Sequence, residues 1–291
     1  MKSLRTGTPN IIEISQSDKA YPKLLKEISN SPKRLYCRGN LDLLNSECFA
    51  VVGSRAITPY GQEAINKIVP SLARHFTIVS GMALGIDAAA QRSTINAGGK
   101  TIAVLGTAVE NPSPRSNVML ANDILKHDGL LISEFSSKDK IFPANFAIRD
   151  RIITGLSKGV LIVEADIKSG SLVSSRMAVE QNRDVFAVPG SIFSARTAGP
   201  HFLIKKGAKL VENADDILEE YAMLDLRPSK EIQKLTGLED KIYDILKNGA
   251  VTTDALIESV GHDTSAIMVA LTKMELKGLI RQLDNGKYIN V

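Results

Sequence analysis

Residues 159–190 read GVLIVEADIKSGSLVSSRMAVEQNRDVFAVPG. An apolar run, GVLIV, leads into a small-residue turn with one lysine, then a segment of helical length, then a second apolar run closed by Pro189 and Gly190. Short, continuously apolar runs suit strands covered on both faces, and two of them joined by a helix make a parallel β-α-β unit. The turn formed by Lys168, Ser169, Gly170 and Ser171 therefore falls where a strand feeds a helix N-terminus. Backbone N–H groups and the helix dipole attract an anion at such a place, and Lys168 adds a positive charge.

The same unit repeats upstream. CFAVV, FTIVS, TIAVL and GLLIS are further apolar runs, each followed by a stretch of helical length, and AKLV at 208–211 adds one more strand candidate. The expected fold is α/β, a doubly wound, mainly parallel Rossmann-like sheet over residues 46–224. Residues 1–45 read as a preface, with a short helix started near Asp18 and a strand ending at Gly39 and Asn40. The polar stretch 225–236, which contains Pro228, reads as a linker. Beyond it, 237–291 offers three helical segments and a hairpin with a tight turn at Asn285 and Gly286, the pattern of a winged helix.

Composition narrows the class. With 291 residues, 44% of them apolar, the chain has ample material for a buried core. No run approaches the roughly 18 apolar residues of a membrane span, and the start MKSLRTGTPNIIE lacks the apolar stretch of a signal peptide. A cytoplasmic protein with no membrane partner is expected. Cys37 and Cys48 have neither CxxC nor Cys/His ligand spacing, so no zinc site or disulfide framework is indicated. The net charge of +4 permits a nucleic-acid partner without demanding one. Residues 233–291 hold seven Lys/Arg against eight Asp/Glu, so the positive excess lies before Gln233.

In open α/β sheets ligands bind beyond the carboxyl ends of the strands, so the turns after the strands are the candidates. They carry Gly53, Ser54 and Arg55, then Gly81 and Gly85, then Lys168 to Ser171. Any one of these glycines could merely relieve a tight turn; together with Arg55 and Lys168 they suggest a phosphate groove. No GxGxxG and no GxxxxGK[ST] occurs, so a dinucleotide fingerprint and a P-loop are missing and no cofactor is expected. The segment PANFAIRDRIITGLSKG, 143–159, adds Asn145, Phe146 and Arg149, with Phe142 just before it. Aromatic residues among cations offer ring faces for bases and charges for phosphates, although either phenylalanine could equally be core. Of Arg149 and Arg151, one is expected to pair with a carboxylate inside the fold. Asp87, Glu134, Glu164 and Asp166 stand at strand ends where acid–base chemistry is conceivable, yet capping or arginine pairing explains them more simply. No nucleophile–base set can be assembled from His75, His127, His201 and His262.

AVVGSRAITPYG, VSGMALGIDAAAQR, TIAVLG, RDRIITGLSKGVLIVEA, KSGSL and VFAVPGS occur in this order. Together they closely resemble the DNA-processing protein A (DprA, or Smf) family of natural transformation, over about Tyr21 to Glu220. The resemblance implies a Rossmann-like domain that binds single-stranded DNA as a homodimer and helps load the RecA recombinase, without catalytic turnover. The C-terminal winged helix resembles the extra domain many members carry. The family's DNA-contacting arginine falls on Arg55, and its basic residue before the SGS turn on Lys168. The family's NFPxRNRII appears as NFAIRDRII, with Ala147 for proline and Asp150 for asparagine, which brings a negative charge near the strand path. The stretch TAVENPSPRSN lacks the family's tyrosine-proline and glycine-aspartate, and His201 stands where asparagine is common. An alternative is a nucleotide-cleaving relative acting on nucleoside monophosphates, but KSGSLVSS and PGS lack the second glycine and the glutamate of a PGGxGTxxE-like turn. Two segments are candidates for a dimer face, ADDILEEYAML (214–224) and HFLIKKGAKL (201–210).

Overall fold

In a computed structural model, residues 11–167, 169–223, 237–247, 249–276, 279–283 and 286–290 are described. The chain divides into two compact units, Met1–Leu224 and Asp225–Val291. The expected linker and Asn285 lie outside the described residues.

The first unit begins with β1 (Ile12–Ser15), α1 (Lys23–Lys26) and β2 (Arg34–Gly39). It continues with β3 (Cys48–Val52), α2 (Pro59–Leu72), β4 (Thr77–Ser80), α3 (Ile86–Asn96) and β5 (Thr101–Leu105). Then come α4 (Val118–Lys126), β6 (Leu130–Ser133), α5 (Ala144–Leu156), β7 (Gly159–Ile162), α6 (Ser171–Glu180) and β8 (Asp184–Ala187). It closes with α7 (Ala198–Lys205), β9 (Lys209–Leu210) and α8 (Asp215–Leu218).

The strands form one sheet in the order β1-β2-β6-β5-β4-β3-β7-β8-β9. From β6 to β9 every pairing is parallel; β2 joins β6, and β1 joins β2, antiparallel. The doubly wound sheet expected from the apolar runs is present, and the segment before residue 46 is its edge rather than a separate preface. An antiparallel strand at that end leaves β6 paired on both sides. The helix expected from Asp18 is a single turn instead. Asp18 accepts from the Ser15 backbone N–H at 2.7 Å and closes a turn, and Pro22 starts α1 four residues later.

Alternation of side chains along β3 and β7 builds both core layers. Ala50, Val52, Val160 and Ile162 pack among residues of α1, α5, α6 and α7, while Phe49, Val51, Leu161 and Val163 pack under α2, α3 and α8. Register aligns Ala50 with Val160 and Val52 with Ile162, so like-facing residues meet across the pair. Phe49, Phe76, Phe186 and Tyr221 cluster at the strands' amino end, with ring centroids 5.4–6.3 Å apart. Cys37 and Cys48 are free and buried, and burial pushes both thiols up to about 12, so neither is a ready nucleophile.

The second unit contains α9 (Gly237–Leu246), β10 (Val251–Thr252), α10 (Thr253–Val260), α11 (Thr264–Leu276), β11 (Ile280–Gln282) and β12 (Lys287–Asn290). Thr252 caps α10, its hydroxyl accepting from Ala255 N–H at 3.3 Å, and Gly261 ends it with φ +67°. Ile242, Leu246, Leu256, Ile267, Leu271, Ile280 and Tyr288 form its core. The expected hairpin pairs β11 with β12, and the short β10 adds a third strand.

Candidate nucleic-acid interface

The strand order reverses between β3 and β7, because the chain runs outward from β3 to β6 and then returns through α5 to pair β7 with β3. Turns diverge at such a point and leave a crevice beyond the carboxyl ends. A cavity of about 560 Å³ opens there. Gly53, Ser54 and Arg55 line it from the turn after β3, Ser169, Gly170 and Ser171 from the start of α6, and Phe146 and Arg149 from α5. Three of the groups singled out in the sequence thus converge on one space. Lys168 lies outside the described residues.

The other candidates take different places. Gly85 has φ +77°, and a Cβ there would overlap the Ser54 carbonyl, so it sets the close approach of two turns rather than lining the cavity. Gly81 lies beneath the Arg149 guanidinium, where a Cβ would collide with it. Phe142 is exposed, while Phe146 is half-buried, lines the cavity and packs against Gly106. Asn145 is buried, and its side-chain N–H₂ has no partner among the described residues.

Arg55 is exposed at the mouth and makes no hydrogen bond or ion pair within the described residues. Arg149 is the opposite case. It is 4% exposed; its Nη1 donates to Gly81 O at 2.5 Å and to Val104 O, and its Nε donates to Asp150 Oδ1 at 3.0 Å. This guanidinium ties α5 to the ends of β4 and β5. Arg151 Nη2 donates to both carboxylate oxygens of Glu134, at 2.7 and 2.8 Å, so both arginines meet carboxylates, not one.

Of the four strand-end carboxylates, Glu134, Glu164 and Asp87 are held by donors of the fold, while Asp166 is exposed and lines the cavity. Glu164 accepts from the Thr58 N–H at 3.0 Å and the Thr58 hydroxyl at 2.5 Å, at the start of α2. Asp87 accepts from Gly81 N–H at 3.1 Å and Ala83 N–H at 3.4 Å. Burial pushes the Asp87 carboxyl up to about 6, against the opposing pull of Arg149. Asp150 also lines the cavity, held by Arg149 and by the Ser174 hydroxyl at 3.2 Å, and burial raises its pKa as well. Its charge faces Arg149 and Ser174 from the cavity wall. Among the described residues no group of His, Cys, Asp and Glu could hold a metal, and no helix is long and apolar enough to cross a membrane.

Sequence reasoning passed over Arg196. Its Nη1 donates to the Ser54 hydroxyl at 2.6 Å, which brings the loop between β8 and α7 against the turn after β3. The two residues are 142 apart in the chain, and no local pattern marks the contact.

Comparison with known proteins agrees with this architecture. The family model described as DNA recombination-mediator protein A matches residues 13–222, and that of the DprA winged helix domain matches 227–286. DNA processing protein DprA of Streptococcus pneumoniae is 44% identical over 204 residues, 70% of this chain and 72% of that protein. Protein Smf of Escherichia coli is 37% identical over 288 residues, 96% of this chain and 77% of the relative. The crystal structure of the Streptococcus pneumoniae protein superposes with a TM-score of 0.70 at 42% identity, covering 72% of this chain and 74% of that one. DNA processing protein A from Helicobacter pylori, whose structure describes a single-stranded DNA binding mode, gives a TM-score of 0.65 at 28% identity, covering 73% and 96%. A Rossmann-like sheet with its crevice at the β3/β7 reversal, followed by a winged helix, is thus the architecture of a member of the DNA recombination-mediator protein A (DprA/Smf) family.

Proposed function

We propose that this protein binds single-stranded DNA across the β3/β7 crevice and passes it to a RecA recombinase during transformation, acting as a homodimer and without catalytic turnover. The observation that carries the reading is Arg55, an exposed cation that makes no hydrogen bond or ion pair among the described residues, at the mouth of a cavity lined by glycine and serine turns and by Phe146. An exposed arginine whose guanidinium donates to nothing among the described residues is available to phosphate, small turn residues let a backbone approach closely, and a half-exposed ring offers a base a stacking face. The single-stranded DNA binding mode described for the Helicobacter pylori relative supports the same choice of ligand.

A non-catalytic role is supported by the carboxylates, since Glu134, Glu164 and Asp87 are each held by donors of the fold. RecA as recipient, the homodimer and the setting in transformation follow the family resemblance. The winged helix domain carries no positive excess, so little counterion release is available to it, and we assign it protein contact or regulation.

Fluorescence anisotropy with an oligothymidylate tests the site. Arg55→Ala together with Lys168→Ala should weaken binding at least tenfold and reduce the slope of log K against log salt by about 1.4, since each neutralised phosphate contributes about 0.7. Unchanged affinity and slope would remove the crevice as the DNA site.

A further inference from the structure

Phe193 is 93% exposed and its neighbour Ile192 80% exposed, although the loop that carries them, between β8 and α7, is firmly anchored. Tyr60 donates its hydroxyl to Pro189 O at 2.5 Å, the Thr197 hydroxyl donates to Ser191 O and Ser194 O, and Ala165 N–H donates to Arg196 O at 2.7 Å. His201 Nε2 lies 3.1 Å from Gly190 O. A loop held by this many contacts displays its apolar tip by construction, and a solvated phenylalanine gains nothing for the fold. At the foot of the same loop, Arg196 contacts Ser54, a residue of the cavity, and pairs with no carboxylate among the described residues.

Resting on the reading of the crevice as a single-strand site, we propose that the strand continues out of the cavity over this loop, with Arg196 on a phosphate beside Ser54 and Phe193 stacked on an adjoining base. Cation and ring lie three residues apart on one anchored loop, and the cation is joined directly to the cavity wall. That arrangement, a phosphate contact next to a sequence-tolerant aromatic platform, is what an unpaired strand needs and a duplex cannot use, because duplex bases are already stacked. It extends the footprint beyond Phe146, toward the β8 end of the sheet.

The chain contains no tryptophan, so Phe193→Trp creates a single reporter at the tip. Titrating this variant with a twenty-nucleotide oligothymidylate should quench its fluorescence with the same midpoint as the anisotropy change, and the matched duplex should not. Phe193→Ala, at an exposed site where folding is not at stake, should weaken single-strand binding about fivefold or more. Arg196→Gln should lower the salt slope by about 0.7, a change that a purely structural contact to Ser54 would not produce. If Arg55→Ala weakens binding while Phe193→Trp stays unquenched and Phe193→Ala and Arg196→Gln bind like wild type, the extended path is wrong and the crevice stands. If Arg55→Ala also binds like wild type, both fall.

Discussion

Two arginines on the rim of one cavity differ in what they can still do. Arg149 donates to backbone carbonyls and to Asp150, whereas Arg55 makes no hydrogen bond or ion pair among the described residues and acts on Asp150 only through its charge. Identity as arginine made both candidates in the sequence, and only burial separates the one that fastens the fold from the one left exposed. Asp87 illustrates the electrostatic consequence of the same burial. Its folded-state pKa of about 6 lies above the ordinary aspartate value of 3.8, so the folded protein takes up a proton between those values. The ionised carboxylate therefore costs stability above pH 6, and the cost disappears as pH falls below it. Urea denaturation of wild type and Asp87→Asn should show wild type gaining on the variant by about 1 kcal/mol between pH 7 and pH 5. A difference independent of pH would mean that Asp87 titrates normally.

At the scale of the element, α5 decides where the crevice lies. It carries the chain from the outer strand β6 back to β7, and Arg149 pins it to β4 and β5 on the way. Removing that guanidinium leaves the Gly81 and Val104 carbonyls without their donor, and takes from Asp87 and Asp150 the nearest cation that favours their charged forms. Arg149→Ala should thus destabilise the first unit by about 3 kcal/mol, read from its unfolding midpoint in urea. Arg55→Ala should leave that midpoint within about 0.5 kcal/mol of wild type, as an exposed side chain without fold contacts would. Equal losses for the two variants would contradict the division of roles.

At the scale of the molecule, the sheet unit and the winged helix each have their own core, built from separate sets of residues. A chain ended after Met223 should keep its cooperative unfolding transition by circular dichroism and its affinity for oligothymidylate within about twofold. Loss of most of the affinity would make the winged helix part of the DNA site, against the balance of its charges.

What the sequence determined by itself was local and periodic. The apolar runs CFAVV, FTIVS, TIAVL, GLLIS, GVLIV and DVFAV became β3 to β8, because a strand buried on both faces needs an unbroken apolar run and little else produces one. The strand order that puts the reversal, and with it the crevice, between β3 and β7 came only with the assembled sheet. The antiparallel edge, the burial of Arg149, the Glu164–Thr58 cap and the Arg196–Ser54 contact were decided only by the tertiary structure. Each depends on residues distant in the chain whose approach is set by sheet order and by the return of α5. The strength of a cation's hold on a ligand is fixed by which internal acceptors it meets, and those acceptors exist only once the strands have assembled.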